Sequence, residues 1–171
     1  GTFVSENTLK DMLFHFFHYK FNDGSERGLP TAKLIKMRLI KAQGKIKEEL
    51  ALDHEEKVVE ITRTRLIDRT ACISEKIYLP LRYFDGLDQE DGLPNSLYHY
   101  YQEQFQVTIN KASDKIRAVI ANQTDNDLIG VALGQPLLEV SRVAKALDGK
   151  IVEYRISRVD SEQLHYLVEL N

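Results

Sequence analysis

Two strand-like segments joined by a short polar turn constrain the fold of this chain more than any other feature of its sequence. Residues 58–67 and 71–79 are rich in β-branched and other strand-forming side chains, and Asp68-Arg69-Thr70 between them is turn-forming. Two such segments separated by so short a turn are typical of an antiparallel β-hairpin. Any fold for this chain must therefore contain a long antiparallel strand pair.

The remaining segments complete one domain built on a mainly antiparallel sheet. A second hairpin is predicted at residues 137–147 and 151–159, because Asp148-Gly149 between them favours a two-residue turn. Further strands are predicted at residues 13–21, 33–41, 115–121 and 164–170. One helix is predicted at residues 44–52, a second begins with Asn95 or Ser96 as its N-cap, and a third begins with Thr124 as its N-cap and Asp127 as the capping-box partner. The predicted fold class is α/β, in its α+β form, with a few helices packed on the sheet.

Charged residues on the apolar face of the first hairpin are the strongest functional signal. Alternate side chains along a strand share a face, so Arg63 and Arg65 lie on the face that is otherwise apolar. A three-residue turn places Arg63 opposite Glu75, whereas a two-residue turn would place it opposite Lys76. A buried charge without a partner costs several kcal/mol, so these charges require compensation.

Two interpretations of these charges remain open. In the first, Arg63 and Glu75 form a structural ion pair and Arg65 reaches the sheet edge. In the second, this face is the wall of a pocket, where one arginine pairs with Glu75 and the other binds an anionic ligand, which a guanidinium holds bidentately. We favour the pocket.

The second hairpin also carries charges, but here the pattern favours a solvated surface. A two-residue turn pairs Ala144 with Glu153 and Arg142 with Arg155, so that Glu153 shares a face with both arginines. Elsewhere, the five histidines show no metal-binding spacing, and no phosphate loop, dinucleotide-binding motif or nucleophile motif is present. No metal, cofactor or catalytic residue is predicted.

Composition excludes several classes of protein. The 171 residues are 43% hydrophobic and 29% charged, as in ordinary globular domains, and contain no apolar run long enough for a membrane span. The net charge of -3 argues against a nucleic-acid-binding surface on this chain. A single cysteine, Cys72, is predicted to be a buried strand residue, and its isolation favours a cytoplasmic location.

Five short motifs resemble those of a known family. They are Ile61-Thr62-Arg63-Thr64-Arg65, Glu75-Lys76-Ile77-Tyr78-Leu79-Pro80, Ser96-Leu97-Tyr98, Gly134-Gln135-Pro136-Leu137-Leu138, and Asp148-Gly149 followed by Val152-Glu153-Tyr154. Their order and spacing resemble the UbiC transcription regulator-associated (UTRA) effector domain of GntR-family regulators of the HutC subfamily. The opening Gly1-Thr2-Phe3-Val4-Ser5 resembles the end of the wing in the GntR winged helix-turn-helix. We therefore expect residues 1–5 to be a remnant of that wing and residues 6–171 to be the effector domain.

The resemblance implies a chorismate-lyase-like fold, a homodimer and a ligand pocket that signals to a DNA-binding domain outside this chain. It implies that Arg63 and Arg65 hold an anionic or polar group of the ligand, that Glu75, Ser96 and Tyr98 line the pocket, and that Glu153 hydrogen-bonds the polar end of the ligand.

Two departures from the members that bind amino-sugar phosphates bear on the ligand. Val159 stands where those members carry a tyrosine, and His15-Phe16-Phe17-His18 replaces their hydroxyl-rich phosphate loop. His15 and Phe17 thus become candidate ligand contacts. The exchange of hydroxyls for aromatic and imidazole side chains favours a carboxylate or aromatic acid over a sugar phosphate.

The predicted function is therefore effector sensing and dimerisation in a transcription regulator that contacts DNA only through its N-terminal domain. The alternatives are a chorismate-lyase-like enzyme, since that enzyme shares the fold, and a dimerisation module that binds no ligand. The effector is expected to be a small carboxylate or phosphate, and no membrane partner is expected.

Overall fold

The computed structural model describes residues 16–27 and 30–171. Its strands are β1 (Tyr19–Phe21), β2 (Thr31–Lys41), β3 (Lys57–Ile67), β4 (Thr70–Pro80), β5 (Ile109–Ile120), β6 (Pro136–Ala146), β7 (Ile151–Asp160) and β8 (Leu164–Tyr166), and its helices are α1 (Gly44–Glu49), α2 (Leu97–Phe105) and α3 (Gln123–Ile129). Six strands form an antiparallel sheet in the order β2-β3-β4-β7-β6-β5, and β1 pairs with β8. The mainly antiparallel sheet predicted from the sequence is confirmed.

The middle of the large sheet is covered on both faces. On one face, called the α2 face below, Ile61 of β3 and Ile77 of β4 pack in one cluster with Tyr101 of α2. On the other face, Tyr78 of β4 packs with Leu50, which directly follows α1. A central strand of this kind is buried on both sides, so polar residues on it lie inside the protein. Arg63 and Glu75 belong to the α2 face.

The turn of the first hairpin differs from the prediction, yet the predicted charge pairing holds. Asp68 and Arg69 alone form the turn, with φ of 50° and 67°. The predicted three-residue turn is therefore wrong. A β-bulge next to Arg65 shifts the register by one residue, so that Arg63 still lies opposite Glu75.

The second hairpin shows the converse error. The Gly149 N–H donates to the Ala146 carbonyl at 2.9 Å, and the Ala146 N–H donates to the Lys150 carbonyl at 2.9 Å, with Gly149 at φ 83°. This is a three-residue loop with a glycine in the left-handed region, where the sequence predicts a two-residue turn. A register shift further along the hairpin restores the predicted pairing of Arg142 with Arg155.

The strands nearest the two ends of the chain are shorter than predicted. Strand β1 takes up only the last part of residues 13–21, and β8 only the first part of residues 164–170. Residues 1–15, and with them the predicted wing remnant, lie outside the described residues. Within the described residues these two strands pair only with each other, so three residue pairs are all that the ladder holds.

Helix α3 begins with a capping box, two residues earlier than predicted. The Asn122 side chain accepts a hydrogen bond from the Asp125 N–H at 3.0 Å, and the Asp125 carboxylate accepts one from the Asn122 N–H at 2.8 Å. The predicted Thr124 cap with Asp127 is wrong, because Thr124 already lies inside the helix. Asp125 is buried and also receives the Arg158 guanidinium at 2.8 Å, which holds α3 against the sheet.

Asn122→Ala is expected to lower the free energy of unfolding by about 1 kcal/mol, since an N-cap side chain satisfies an amide that the helix cannot. The matched control is Thr124→Ala in the exposed first turn, for which we expect a change within about 0.5 kcal/mol. Urea denaturation of both variants measures the difference. Equal losses would mean that the capping box does not stabilise α3.

Candidate functional site

A cavity of about 210 Å³ lies between the start of α2 and the α2 face of the sheet. Strands β3, β6 and β7 supply its charged residues, whereas the aromatic and apolar walls come from α2 and from the segments before β1 and β2. The lining residues are Phe16, Phe17, Pro30, Arg63, Arg65, Asn95, Ser96, Leu97, Tyr98, Arg142 and Arg155. Four arginines therefore converge on one small cavity.

Arg63 and Glu75 form the buried ion pair that the register predicts. The Arg63 Nε lies 2.7 Å from the Glu75 Oε2, and the Arg63 side chain is only 2% exposed. Arg63 also donates from Nη1 to the Asn95 carbonyl at 3.2 Å, which ties the sheet to the loop before α2. Burial opposes ionisation of Glu75, but the attraction of the surrounding arginines outweighs it and holds the pKa of that carboxyl well below its usual range.

Arg65 is the least satisfied cation of the group. Its Nη1 lies 3.4 Å from the Glu75 Oε1, its Nη2 lies 3.5 Å from the Pro30 carbonyl, and its buried Nε has no hydrogen-bond partner among the described residues. Burial and the repulsion from Arg63 and Arg155 together outweigh the attraction of Glu75. They lower the pKa of Arg65 to about 10. The protein thus holds this charge at a cost in free energy.

The charges of the second hairpin join the same buried network. Glu153 is fully buried, and its carboxylate receives the Nε and Nη2 of Arg155 at 2.9 and 3.0 Å. The hydroxyls of Tyr98 and Tyr101 donate to the same carboxylate at 2.9 and 2.6 Å. The expected solvated surface is therefore wrong. Helix α2 covers these residues, which the strand pattern alone does not reveal.

Arg142 completes the network on β6. Its Nε and Nη2 lie 2.8 and 3.0 Å from the two carboxylate oxygens of Asp114, and the Tyr166 hydroxyl donates to that carboxylate as well. The Nη2 also donates to the Phe16 carbonyl at 2.7 Å. Hydrogen bonds to Asp114 outweigh the burial of Arg142 and raise its pKa above the usual value. Arg142 therefore joins the sheet to the segment before β1.

The structure brings together most of the residues that the sequence singles out. Arg63, Arg65, Ser96, Tyr98 and Phe17 line the cavity. Their contact with a ligand stays a prediction.

Two other predicted residues, Glu75 and Glu153, lie behind the cavity wall. Glu75 lies behind the arginines and lines a smaller neighbouring cavity of about 30 Å³. Glu153 lies behind Tyr98 with both carboxylate oxygens engaged. His15 lies outside the described residues.

Arg142, Arg155 and Asn95 line the cavity but were not predicted to do so. A signal for two of them was present, because two arginines directly opposite each other repel unless carboxylates or an anion lie between them.

The arrangement suits the binding of an anion. Within the described part of the chain, four guanidinium groups and three carboxylates, those of Glu75, Asp114 and Glu153, meet around the cavity. Among residues 16–27 and 30–171, no group of three or more histidine, cysteine or carboxylate side chains is placed to hold a metal ion. In the same part of the chain no helix is long and apolar enough to cross a membrane.

Comparisons with known proteins give a consistent result. A family model described as the UTRA domain matches residues 26–165. The helix-turn-helix transcriptional regulator GmuR of Bacillus subtilis is 26% identical in an alignment 168 positions long, which covers 92% of this chain and 68% of the regulator. The helix-turn-helix transcriptional repressor NagR of the same species is 23% identical in a gapped alignment 175 positions long, which covers 100% of this chain and 71% of the repressor.

Solved structures agree with the sequence relatives. The ligand-binding domain of a GntR-family transcriptional regulator from Bordetella bronchiseptica aligns with a TM-score of 0.85 at 27% identity, over 91% of this chain and 98% of that domain. Such neighbours share the chorismate-lyase-like fold, as the family resemblance implies.

Proposed function

This chain belongs to the UTRA domain family, and from that membership we propose that it is the effector-binding and dimerisation domain of a bacterial GntR-type regulator of the HutC subfamily. Its relatives are transcription regulators and not enzymes, so it is a ligand-sensing regulator domain. We further propose that residues 6–171 constitute this domain and that the regulator acts on DNA in the cytoplasm, through a winged helix-turn-helix domain.

We propose that the effector is a small anion held in the cavity by Arg65. The supporting observation is the Arg65 guanidinium, whose Nε has no partner among the described residues and whose other two nitrogens have only long contacts. An anionic group at this place would supply the missing charge and hydrogen-bond acceptors, and such charge-assisted bonds are the strong ones. Ser96 and Tyr98 on the α2 side and Phe17 on the opposite side would then contact the rest of the ligand.

The experiment that tests this proposal compares anions with neutral molecules of the same shape. Benzoate and phenyl phosphate should raise the melting temperature in a saturable manner, because a ligand that binds only the folded state stabilises it. Benzamide, which is uncharged, should leave the melting temperature unchanged. Equal shifts with benzamide, or no saturable shift with either anion, would contradict an anion-binding pocket.

The chain is also expected to be a dimer in solution, because a regulator that reads two DNA half-sites has two-fold symmetry. Sedimentation velocity at roughly tens of micromolar, where interfaces of modest affinity are occupied, measures this directly. A single species with the mass of a monomer would count against the dimer without affecting the ligand pocket.

A further inference from the structure

The charges around the cavity leave one positive charge over. Arg63 pairs with Glu75, Arg155 with Glu153, and Arg142 with Asp114, each at 2.7–2.9 Å. Arg65 shares Glu75 with Arg63 but lies 3.4 Å from it. The described residues at the cavity thus form three ion pairs and one surplus guanidinium.

The three carboxylates are held in their charged forms by geometry. The two oxygens of Glu153 accept from two tyrosine hydroxyls and from two nitrogens of Arg155, and a carboxylate can accept four such bonds only when ionised. Glu75 faces three guanidinium groups, and Asp114 receives Arg142 and Tyr166. The described residues of the site therefore carry one surplus positive charge at neutral pH.

The uncharged residues of the cavity limit the size and shape of the ligand. Phe16 and Tyr98 meet edge to face with their centroids 5.4 Å apart, and Phe17 lies beneath the Arg65 guanidinium at 5.6 Å. Pro30 and Leu97 close the other sides. An apolar cavity of about 150 Å³ holds a benzene ring, so a cavity of about 210 Å³ accommodates one ring or a short unsaturated chain together with a carboxylate.

We propose that the cavity selects a ligand with a single negative charge on a small, flat, apolar body, and that it discriminates against a doubly charged anion of the same shape. This proposal rests on the proposed function. One negative charge neutralises Arg65 and leaves every other charge paired. A second negative charge would find no unpaired cation among the described residues, and an uncompensated charge beside buried ion pairs is costly.

The test uses one ligand in two charge states. Phenyl phosphate is mostly a monoanion at about pH 5.5 and mostly a dianion at about pH 8, because the second pKa of a phosphate monoester is about 6. Its Kd, measured by calorimetry on the wild-type chain, should rise about tenfold from the lower to the higher pH. A rise of about tenfold corresponds to the change in binding free energy expected when one charge of the ligand lacks a partner. Benzoate and the diester methyl phenyl phosphate remain monoanions throughout and should change by less than about twofold.

These two controls also account for titration of the protein. Among the described residues, His18 lies near Asp114. Tyr19 and Tyr98, which face the arginines, stay neutral because burial raises their pKa values well above the usual range. A change in the charge of these groups would also alter the affinity for benzoate and for the diester, which remain monoanions at both pH values. Of the three probes, only phenyl phosphate changes its charge between the two pH values.

A variant changes the charge of the site instead. Asp114→Asn keeps a similar shape but leaves Arg142 without its counter-charge, so the surplus becomes two and the pH dependence of phenyl phosphate should disappear or reverse. Asp127→Asn, on the exposed side of α3, is the matched control and should behave as wild type. Phenyl phosphate that binds wild type as tightly at the higher pH would overturn the charge-matching proposal, whereas failure of all three anions to bind would overturn the proposed function itself.

Discussion

Glu75→Gln is expected to lower the free energy of unfolding by about 3–5 kcal/mol, the usual loss when one partner of a buried ion pair is removed. Glu75 is the carboxylate at which Arg63, Arg65 and Arg155 meet, at 2.7, 3.4 and 3.5 Å. Glutamine has nearly the same shape but leaves three buried cations facing one another. Urea denaturation near neutral pH measures the loss.

The pH dependence of this loss has a definite sign. Burial disfavours the Glu75 charge, but the three arginines more than offset this and lower the pKa in the folded state. A lowered carboxyl pKa stabilises the protein above the unfolded-state value, about 4.3, and that stabilisation disappears as the pH falls through the folded-state pKa. The difference between wild type and variant should therefore be largest near neutral pH and shrink in acid.

Glu60→Gln is the matched control for this substitution. Glu60 is also a poorly exposed carboxylate on the first hairpin, and its partner Arg38 lies 2.7 Å away. The Arg38 side chain is half exposed, so it can turn to water when its partner is lost. We expect a loss of about 1 kcal/mol or less, as for an exposed ion pair. Equal losses in the two variants would contradict the expectation that Glu75 compensates more buried positive charge than Glu60 does.

Arg65→Ala is expected to abolish the thermal shift caused by benzoate, with a loss of roughly 2–5 kcal/mol in binding free energy, or about 30-fold to several thousand-fold in Kd. The empty protein should be as stable as wild type or slightly more so, because the substitution removes a buried charge whose pKa the fold lowers to about 10. Arg38→Ala removes the same charge away from the cavity and should leave the shift unchanged.

The opposite pattern would support the structural interpretation of Arg65. If Arg65→Ala destabilised the empty protein and left the response to benzoate intact, Arg65 would serve the fold and not a ligand. Melting curves of wild type and both variants, with and without benzoate, contain all of the required comparisons.

Sequence reasoning predicted the charge pairings better than the turns that connect them. Arg63 lies opposite Glu75 as predicted, although both predicted turn lengths are wrong. The burial of one face constrains the register, because a slip by one residue would turn every side chain to the other side of the sheet. A bulge absorbs the extra residue, and its position depends on contacts across the sheet that a single strand pattern does not contain.

Burial of the second hairpin's charges was not predictable from that hairpin alone. Glu153 and Arg155 are buried because α2 crosses the sheet at this point and brings Tyr98 and Tyr101 onto the Glu153 carboxylate. That contact joins residues more than fifty positions apart in the chain. The prediction of the N-cap of α3 failed for a more local reason. Asn122 and Thr124 are both good N-cap residues, and the path of the chain as it leaves β5 decides which of them caps the helix.

The shared carboxylates of the network have a consequence for how such domains diversify. Glu75 pairs with three arginines, so a single substitution within the network leaves a buried charge uncompensated. The resulting loss of stability lowers the amount of folded protein, and selection removes such variants before a second, compensating substitution occurs. The side chains of the apolar wall, such as those of Phe17, Pro30 and Leu97, carry no charge, so their substitution leaves the ion pairs intact. Substitutions that change the effector specificity should therefore accumulate among the apolar wall residues, while the arginines and carboxylates of the network are retained together.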